Sequence, residues 1–447
     1  MPKVFTNSAA EVLNAIRNSA TVNYQNYVPF AQPDGDSVRE IGAIIMDMPE
    51  LQNEFLQALI NRIGRVIITS KMYENPWAFF IKGKFEFGMT VAEYFVNLAK
   101  PYSYNPSTAA TNFMERENPD VRSSFHVMNY QKYYKQTIQE SDLEAAFLTY
   151  EGLTNFIMQL TVSLITSANT DELMMMKYLL AVEIYNGRLT PISIPVPSKD
   201  NAQDIVTEIK SLSNKMTFQS TNYNMAGVTN HVLKENQYLI LSADFDASMD
   251  VNVLATSFNM ERAEFMGHRV LIDSFGALDI ERLGELIGDE PGYIEFGKDE
   301  LEALDAIPGV LVDKDFFQIY NRKFELRAMR NDEGLYRNAW LHVWKIYAVS
   351  PFANQAVLIP ATPTVTGVTV APSAVTADPG QSVQLSATVT TENFAPQEVT
   401  WQSSNENVTV SPAGVVSLNE RATGSATITA TSVYDNEKKG TSIITIA

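Results

Sequence analysis

The sequence predicts an α+β chain that ends in a separate, small all-β sandwich. Three observations predict it. Helical and strand-like segments are mixed as far as Pro360. A Pro/Thr linker, Pro360 to Gly367, then breaks the chain. Beyond it the pattern becomes short alternating runs of Val, Thr, Ile and Ser, punctuated by turn signals.

The N-terminal elements follow in order. Ala9, Val12, Leu13 and Ile16 have helical spacing over 9–18. Pro29 to Asp36 reads as a loop. Leu51, Phe55, Leu56, Leu59, Ile60 and Ile63 give an amphipathic helix from Pro49 to Val66, weakened near its end by Gly64. From Pro76 to Met89 runs an aromatic segment in which Lys82-Gly83-Lys84 separates two strand-like halves, as at a hairpin tip. Such a hairpin is either internal or a projecting arm whose Trp77, Phe79, Phe80, Phe85 and Phe87 are covered by a neighbouring molecule.

Ser141-Asp142-Leu143-Glu144 has the form of a capping box. It opens a mostly helical stretch to Tyr185, with breaks expected near Gly152 and Thr170-Asp171-Glu172. Asn186-Gly187 then gives a left-handed cap. The Met-rich segment Leu173 to Tyr178 reads as core or interface filling. Next come a helix over Asp200 to Leu212, a buried strand Tyr238 to Leu241, a helix from Val251 to Phe258 and a strand Arg269 to Asp273. The acidic stretch Asp279 to Asp305 reads as a solvated surface insertion. Strands at Val310 to Val312, Phe316 to Tyr320, Phe324 to Met329 and Trp340 to Val349 close the first region. In the C-terminal part, Ser382 to Val389, Val399 to Gln402 and Ala426 to Thr431 read as strands. The turns are Asp378-Pro379-Gly380, Pro412-Ala413-Gly414 and Thr423-Gly424.

The bulk numbers bound the function. The chain has 447 residues, enough for two or three domains, with 45 % hydrophobic and 19 % charged residues. Thirty-three Lys and Arg against 52 Asp and Glu give a formal charge of −19. That balance disfavours non-specific grip on a phosphate backbone, which needs cations to release condensed counterions. Cysteine is absent, so disulfides, thiolate zinc sites and cysteine nucleophiles are excluded. Residues Met1 to Ala20 carry no signal-peptide pattern, and no apolar run reaches the roughly 20 residues of a membrane span. A protein made and folded in the cytosol is expected.

Catalytic motifs are missing. His126, His231, His268 and His342 are scattered, with no paired-ligand spacing. Asp244 to Asp250 starts like a calcium loop, but Met249 stands where the sharp turn needs Gly and Ala255 where a bidentate Glu is needed. Those Asp and Ser residues read instead as caps for a helix from Val251. No nucleophile elbow, Walker loop or dinucleotide fingerprint occurs. The expectation is a protein that is not an enzyme and takes no metal or cofactor.

Several blocks carry a resemblance. They are Phe113 to Val121 continuing through Phe125-His126 to Tyr134 and Gln136 to Glu140, then Leu239 to Asp246, Asp250 to Ala255 and Phe258 to Met260. Val312 to Phe316, Arg330 to Tyr336, His342 to Trp344, Val349-Ser350 and Phe352 to Asn354 complete the set. In order and spacing they resemble the major capsid proteins of phi 29-type podoviruses. The resemblance implies the Hong Kong 97-type capsid fold. That fold has an N-terminal arm, an extended hairpin loop (placed at Thr69 to Val96) and a peripheral domain with a spine helix within Ser141 to Tyr185. A returning sheet would run from about Phe324 to Ile359, and an axial domain over Leu189 to Gln318. The C-terminal region resembles a group 2 bacterial immunoglobulin-like domain, through Val368 to Val370, Ser382 to Leu385, Val399 to Ser404, Gly414 to Ser417 and Gly424 to Ala430. Trp401 is its expected core anchor.

Together these imply domains at 1–361 and 362–447. The implied function is that of a tailed-phage head protein that self-assembles into an icosahedral shell of hexamers and pentamers. Its implied partners are other copies of itself, a scaffolding protein and a portal protein. The shell would be assembled in the host bacterial cytoplasm and enclose double-stranded DNA without reading its sequence or touching a membrane. Inter-subunit contact would fall on Trp77, Phe79, Phe80, Lys82, Lys84, Phe85 and Phe87. An encapsulin-like compartment shell and a bacterial surface adhesin are the alternatives.

Overall fold

A computed structural model describes residues 9–55, 58, 73–85, 88, 90–103, 105, 116–147, 150–196, 198, 201–256 and 268–447, with backbone only for 150–162 and 250–256. The helices are α1 (Ala9–Ser19), α2 (Val22–Tyr27), α3 (Gly35–Asp47), α4 (Glu140–Phe147), α5 (Tyr150–Tyr185), α6 (Ala202–Lys215), α7 (Ala243–Thr256), α8 (Ile280–Ile287) and α9 (Lys298–Asp305). The strands of the first region are β1 (Ile81–Lys84), β2 (Thr90–Val96), β3 (Val121–Val127), β4 (Tyr130–Gln139), β5 (Thr190–Ser193), β6 (Gln237–Ser242), β7 (His268–Ile272), β8 (Gly309–Asp313), β9 (Phe317–Asn331), β10 (Tyr336–Val349) and β11 (Gln355–Ile359). The chain divides into two compact units.

The first unit comprises 1–91, 126–176 and 318–347. Its N-terminal helices form because apolar residues recur at helical spacing and polar side chains close the exposed ends. Thr21 accepts the Tyr24 amide at the start of α2, and Asp34 accepts the Ser37 amide, 2.7 Å, at the start of α3. Leu13 and Ile16 of α1 pack with Val38, Ile41 and Ile45 of α3, with Phe55, and with Leu143 and Phe147 of α4. Burying each such side chain contributes about 1.5–3 kcal/mol. Gly42 of α3 is needed for this approach, since a Cβ there would stand 2.5 Å from that of Phe147.

A four-stranded sheet, in the order β1-β9-β10-β4, forms the rest of the unit. Strand β10 pairs antiparallel with β4 from Tyr336↔Gln139 to Lys345↔Tyr130. Its alternating burial gives one face to the core.

Several expectations change here. Lys82-Gly83-Lys84 is not a turn. It lies on β1, which pairs parallel with β9. Gly83 is used, at φ +135, to pass a register shift between Ile81 and Gly83. A glycine between two lysines serves a bulge as well as a hairpin tip. The expected hairpin at Thr69 to Val96 falls partly outside the described residues. The paired ribbon of this region is β2 with β3, further along the chain. Ser141 is not a cap either, because α4 already begins at Glu140. The backbone of α5 runs as one helix over 36 residues, with no break at Gly152 or Thr170.

The second unit comprises 92–125, 177–317 and 348–447. Its five-stranded sheet has the order β5-β11-β8-β6-β7. Every residue of β6, β8 and β11 is buried, as continuous apolar runs require when both faces are covered. Ile205, Ile209 and Leu212 of α6 pack on Leu239, Leu311 and Leu358 of this sheet. Strand β11 therefore belongs here, not to a sheet returning from Phe324. The acidic stretch, expected as a solvated surface insertion, forms two short helices with a buried apolar side. Asp279 accepts the Arg282 amide at the start of α8, and Leu283, Leu286, Ile287, Phe296 and Leu304 are buried. Its carboxylates thus sit around an apolar stripe. Helix α7 begins at Ala243, eight residues before the expected start, so Asp244 and Asp246 lie in its first turn. Asp246 is paired with Arg269 of β7.

At the end of α5, the Gly187 amide donates to Ile184 and the Arg188 amide to Glu183, with Gly187 at φ +62. This is the left-handed cap expected from Asn186-Gly187.

The C-terminal region of the same unit holds β12 (Thr364–Ala371), β13 (Ala374–Ala377), β14 (Ser382–Gln384), β15 (Ser386–Glu392), β16 (Val399–Ser403), β17 (Val408–Val410), β18 (Val415–Leu418), β19 (Ser425–Ser432) and β20 (Lys439–Ile446). They form sheets β12-β15, β13-β20-β19-β16 and β14-β18-β17. Alternate Val, Ile, Leu and Ala side chains fill the space between them. Trp401 of β16 is half-buried and packs against this cluster, whose fully buried members are smaller aliphatic residues.

Candidate assembly surface

The seven residues expected at a subunit contact divide into separate environments. Trp77 and Phe80 are 1 % exposed within their own chain. Their rings meet edge to face at 6.3 Å. They are core residues, and no neighbour is required to cover them. The correction has a simple cause. Ala78 to Phe80 form a 3-10 turn, which points consecutive aromatics in different directions instead of alternating them as a strand would. Phe79 is the outward one, 43 % exposed. Lys82 is half-buried on β1 and Lys84 is exposed. Phe85 is half-buried, 6.4 Å from the Tyr320 ring and with the Arg322 guanidinium 5.8 Å from its own ring centre. Phe87 lies outside the described residues.

The larger apolar surface was not singled out from the sequence. It is the ribbon of β2 and β3. Along β2, exposure alternates strictly, yet the residues facing solvent include Tyr94 and Val96 while Glu93 is turned inward. The Glu93 carboxylate accepts the Ser350 hydroxyl at 2.6 Å, and the Phe95 ring stacks on Phe352 at 5.6 Å. Asn97 at the end of β2 accepts the Thr229 amide, and Arg122 of β3 donates to the Ala226 carbonyl. One face is thereby tied to the rest of the second unit. The other face shows Tyr94, Val96, Val121 and Phe125 to solvent, with Leu98 and Tyr102 beyond the strand end. Tyr94 and Phe125 meet edge to face at 6.4 Å. A strand that covers one face ordinarily puts its polar residues on the other. Here the inward half holds Val91, Glu93 and Phe95, yet the outward half is apolar too at Tyr94, Val96 and Phe125, as in a surface awaiting a partner. Thr90 to Val96 does not alternate between apolar and polar residues, so nothing in the sequence says which half faces the chain.

Several ionisable groups among the described residues are engaged in structural contacts. Lys177 bridges Asp273 at 2.7 Å and the Ala277 carbonyl at 2.6 Å. Lys345 pairs with Glu172, both buried. Tyr134 and Tyr347 have phenols held far above their ordinary pKa, first by burial and then by neighbouring phenols and carboxylates. Raised phenols of this kind stay neutral hydrogen-bond donors. His268 stacks on Tyr238 and His342 lies against Tyr133. Among the described residues no group of three His, Asp or Glu side chains converges as a metal site would require. No described helix is long and apolar enough to cross a membrane.

The model of the Phi29-like phage major capsid protein family matches residues 13–359, and that of the group 2 bacterial Ig-like domain matches 364–442. The chain is 32 % identical over 429 residues to the major capsid protein of Bacillus phage B103, covering 94 % of this chain and 89 % of that one. It is 30 % identical to the major capsid protein of Bacillus phage PZA, covering 96 % and 91 %. In fold it resembles a chain in the structure of the head fiber and inner core protein gp22 of native bacteriophage P68. That likeness has TM-score 0.51 and 16 % identity, covering 66 % of this chain and 87 % of that chain. A chain of the Staphylococcus phage Andhra capsid structure gives TM-score 0.50 and 16 % identity, covering 66 % and 86 %.

Proposed function

The chain belongs to the Phi29-like phage major capsid protein family and is the major capsid protein of a tailed phage, and on that premise we propose how it builds its shell. It has the Hong Kong 97-type capsid fold followed by an Ig-like domain, and it is a component of an icosahedral virion shell. In the proposed scheme the outward face of the β2–β3 ribbon docks on a neighbouring copy, within hexamers and pentamers. Phe79 and Lys84, of the first unit, are proposed as contacts of their own. The boundary between shell and Ig-like domains falls at 361/362.

The observation that carries this reading is the apolar outward face of the ribbon, with Tyr94, Val96 and Phe125 in solvent. An apolar face of this kind loses solvent-exposed area only when a second molecule covers it. Individual contacts can be weak, because closure of a shell multiplies them and raises effective concentration. The chain acts by binding, not by catalysis. A scaffolding protein guides closure in the host cytoplasm, and a portal protein occupies one position in the shell. The excess of 52 acidic over 33 basic residues suits a wall that repels packaged double-stranded DNA and holds no sequence of it.

Negative-stain microscopy of the full chain, expressed with the phage's scaffolding protein, tests the ribbon. Wild type is expected to give closed shells. The double variant Tyr94→Asp, Phe125→Asp is expected to stay a soluble, folded subunit, since both residues are already exposed. Normal shells from that variant would remove the ribbon from the assembly interface.

A further inference from the structure

The linker into the Ig-like domain is short. Only residues 360–363 separate the end of β11 from the start of β12, with prolines at 360 and 363. A short, proline-bearing linker restricts a domain but does not fix it. The structure shows a second attachment. The turn after β15, Asn393 to Pro396, comes down on the cap of α5 at Gly187. A Cβ placed on Gly187 would lie 2.4 Å from the Ala395 carbonyl oxygen and 3.1 Å from the Cα of Pro396. Two backbones therefore pass in direct contact, and both Gly187 and Ala395 are buried.

The turn itself is unusual. Asn393 and Phe394 stand consecutively at φ +54 and +56. Non-glycine residues in that region are strained unless their surroundings fix them. Here Asn393 donates through Nδ2 to the Thr362 carbonyl of the linker at 2.9 Å, so turn and linker are also tied to each other. Burial raises the pKa of Glu398, just beyond the turn, and the charge of Arg188, the residue after the cap, offsets part of that rise. Contact, strain and linkage meet at one place, inside one compact unit.

We propose that the Ig-like domain is locked onto the shell-forming part of its own chain at this seam, where the 393–396 turn packs on Gly187. It is a fixed brace of each subunit, not an appendage swinging on its linker. Gly187 then has two duties. Its left-handed backbone caps α5, and its missing side chain admits the neighbouring turn.

The two duties can be separated. Asparagine tolerates the left-handed conformation but carries a Cβ. Gly187→Asn should therefore keep the cap and lose the seam. The chain has no cysteine, so Glu302→Cys and Glu406→Cys, both exposed, accept a unique pair of spin labels. In the full chain, the distance distribution between them is expected to be narrow. It should stay narrow when four Gly/Ser residues are inserted after Ala361, because the seam and not the linker holds the domain. It should broaden several-fold in Gly187→Asn. A broad distribution in the parent, or one that broadens on linker insertion alone, overturns the proposal. So does a distribution that stays narrow in a folded Gly187→Asn. Should that variant fail to fold, the linker insertion still decides. None of these readouts depends on shell formation, so failure here is distinct from failure of the ribbon reading.

Discussion

The phenol of Tyr134, on β4, donates to the carboxylate of Asp171, in the middle of α5, across 2.6 Å. Tyr130 continues the chain of hydrogen bonds, 3.0 Å from Tyr134 and with its ring 5.2 Å from that of Tyr347. One residue along, Glu172 takes the ammonium of Lys345 from β10. Consecutive carboxylates of one helix are thus both buried, and each is met by a polar side chain from the sheet. A buried carboxylate without such a partner would cost several kcal/mol. The two pairs therefore fix the register of α5 along β4 and β10 more sharply than apolar contact alone.

Removing one side of the charged pair should be costly. Lys345→Met leaves Glu172 buried beside the Tyr347 ring without its cation. Loss of one partner of a buried pair destabilises by about 3–5 kcal/mol. The double variant Lys345→Met, Glu172→Leu should recover most of that loss, since apolar replacement of a whole pair is often near neutral. Urea unfolding of the unassembled subunit reads both. Equal stability of the single variant and wild type would mean that the pair is solvated.

Neighbouring phenylalanines should behave oppositely. Phe80 is 1 % exposed and Phe79 is 43 % exposed. Phe80→Asp places a charge in the core and is expected to abolish folding of the subunit. Phe79→Asp should leave a soluble subunit whose unfolding midpoint is close to wild type. Solubility and circular dichroism of the two proteins give the comparison. A well-folded Phe80→Asp would show that the aromatic segment is not packed within its own chain.

That contrast marks what the residues alone could reveal. The apolar run Tyr238 to Leu241 read correctly as a buried strand and Val310 to Val312 as a strand, because a strand covered on both faces needs no alternation. The alternating Val and Thr runs beyond Pro360 likewise matched strands, and Asn186-Gly187 matched its cap. Other features had two physical readings of equal local quality. Thr170-Asp171-Glu172 looks like a helix start, but its carboxylates answer Tyr134 and Lys345 from sheet strands distant in sequence. Gly83 suits a turn or a bulge, and only its partner strand β9 decides. Helix α3 was hidden because Asp34 to Ser37 has loop composition, although Asp34 is in fact its cap. The burial of β2 alternates as a strand's should. Which of its faces meets solvent depends on Ser350 and Phe352, some 250 residues away.

Glu183 gives a pH dependence whose sign is opposite to that of most ion-paired carboxylates. It is 5 % exposed, with the Arg188 Nη1 3.1 Å away. Burial raises its pKa, and the attraction of Arg188 only partly offsets this. Glu398 is exposed as a residue, yet shielding at its carboxyl raises its pKa in the same sense against the pull of Arg188. For Glu183 the folded value lies above the unfolded one, so the native state holds the proton more tightly. Its contribution to stability is fully present below the unfolded pKa and is lost as pH rises through the folded pKa. The window opens near the ordinary glutamate value and extends upward. Glu183→Gln keeps an acceptor for Arg188 and removes the ionisation. Relative to this variant, wild type should lose stability as pH rises above the ordinary glutamate value. Urea midpoints of both proteins across that rise test it. A difference between them that does not change with pH would show that Glu183 is ionised at little cost, with Arg188 and water replacing its lost hydration.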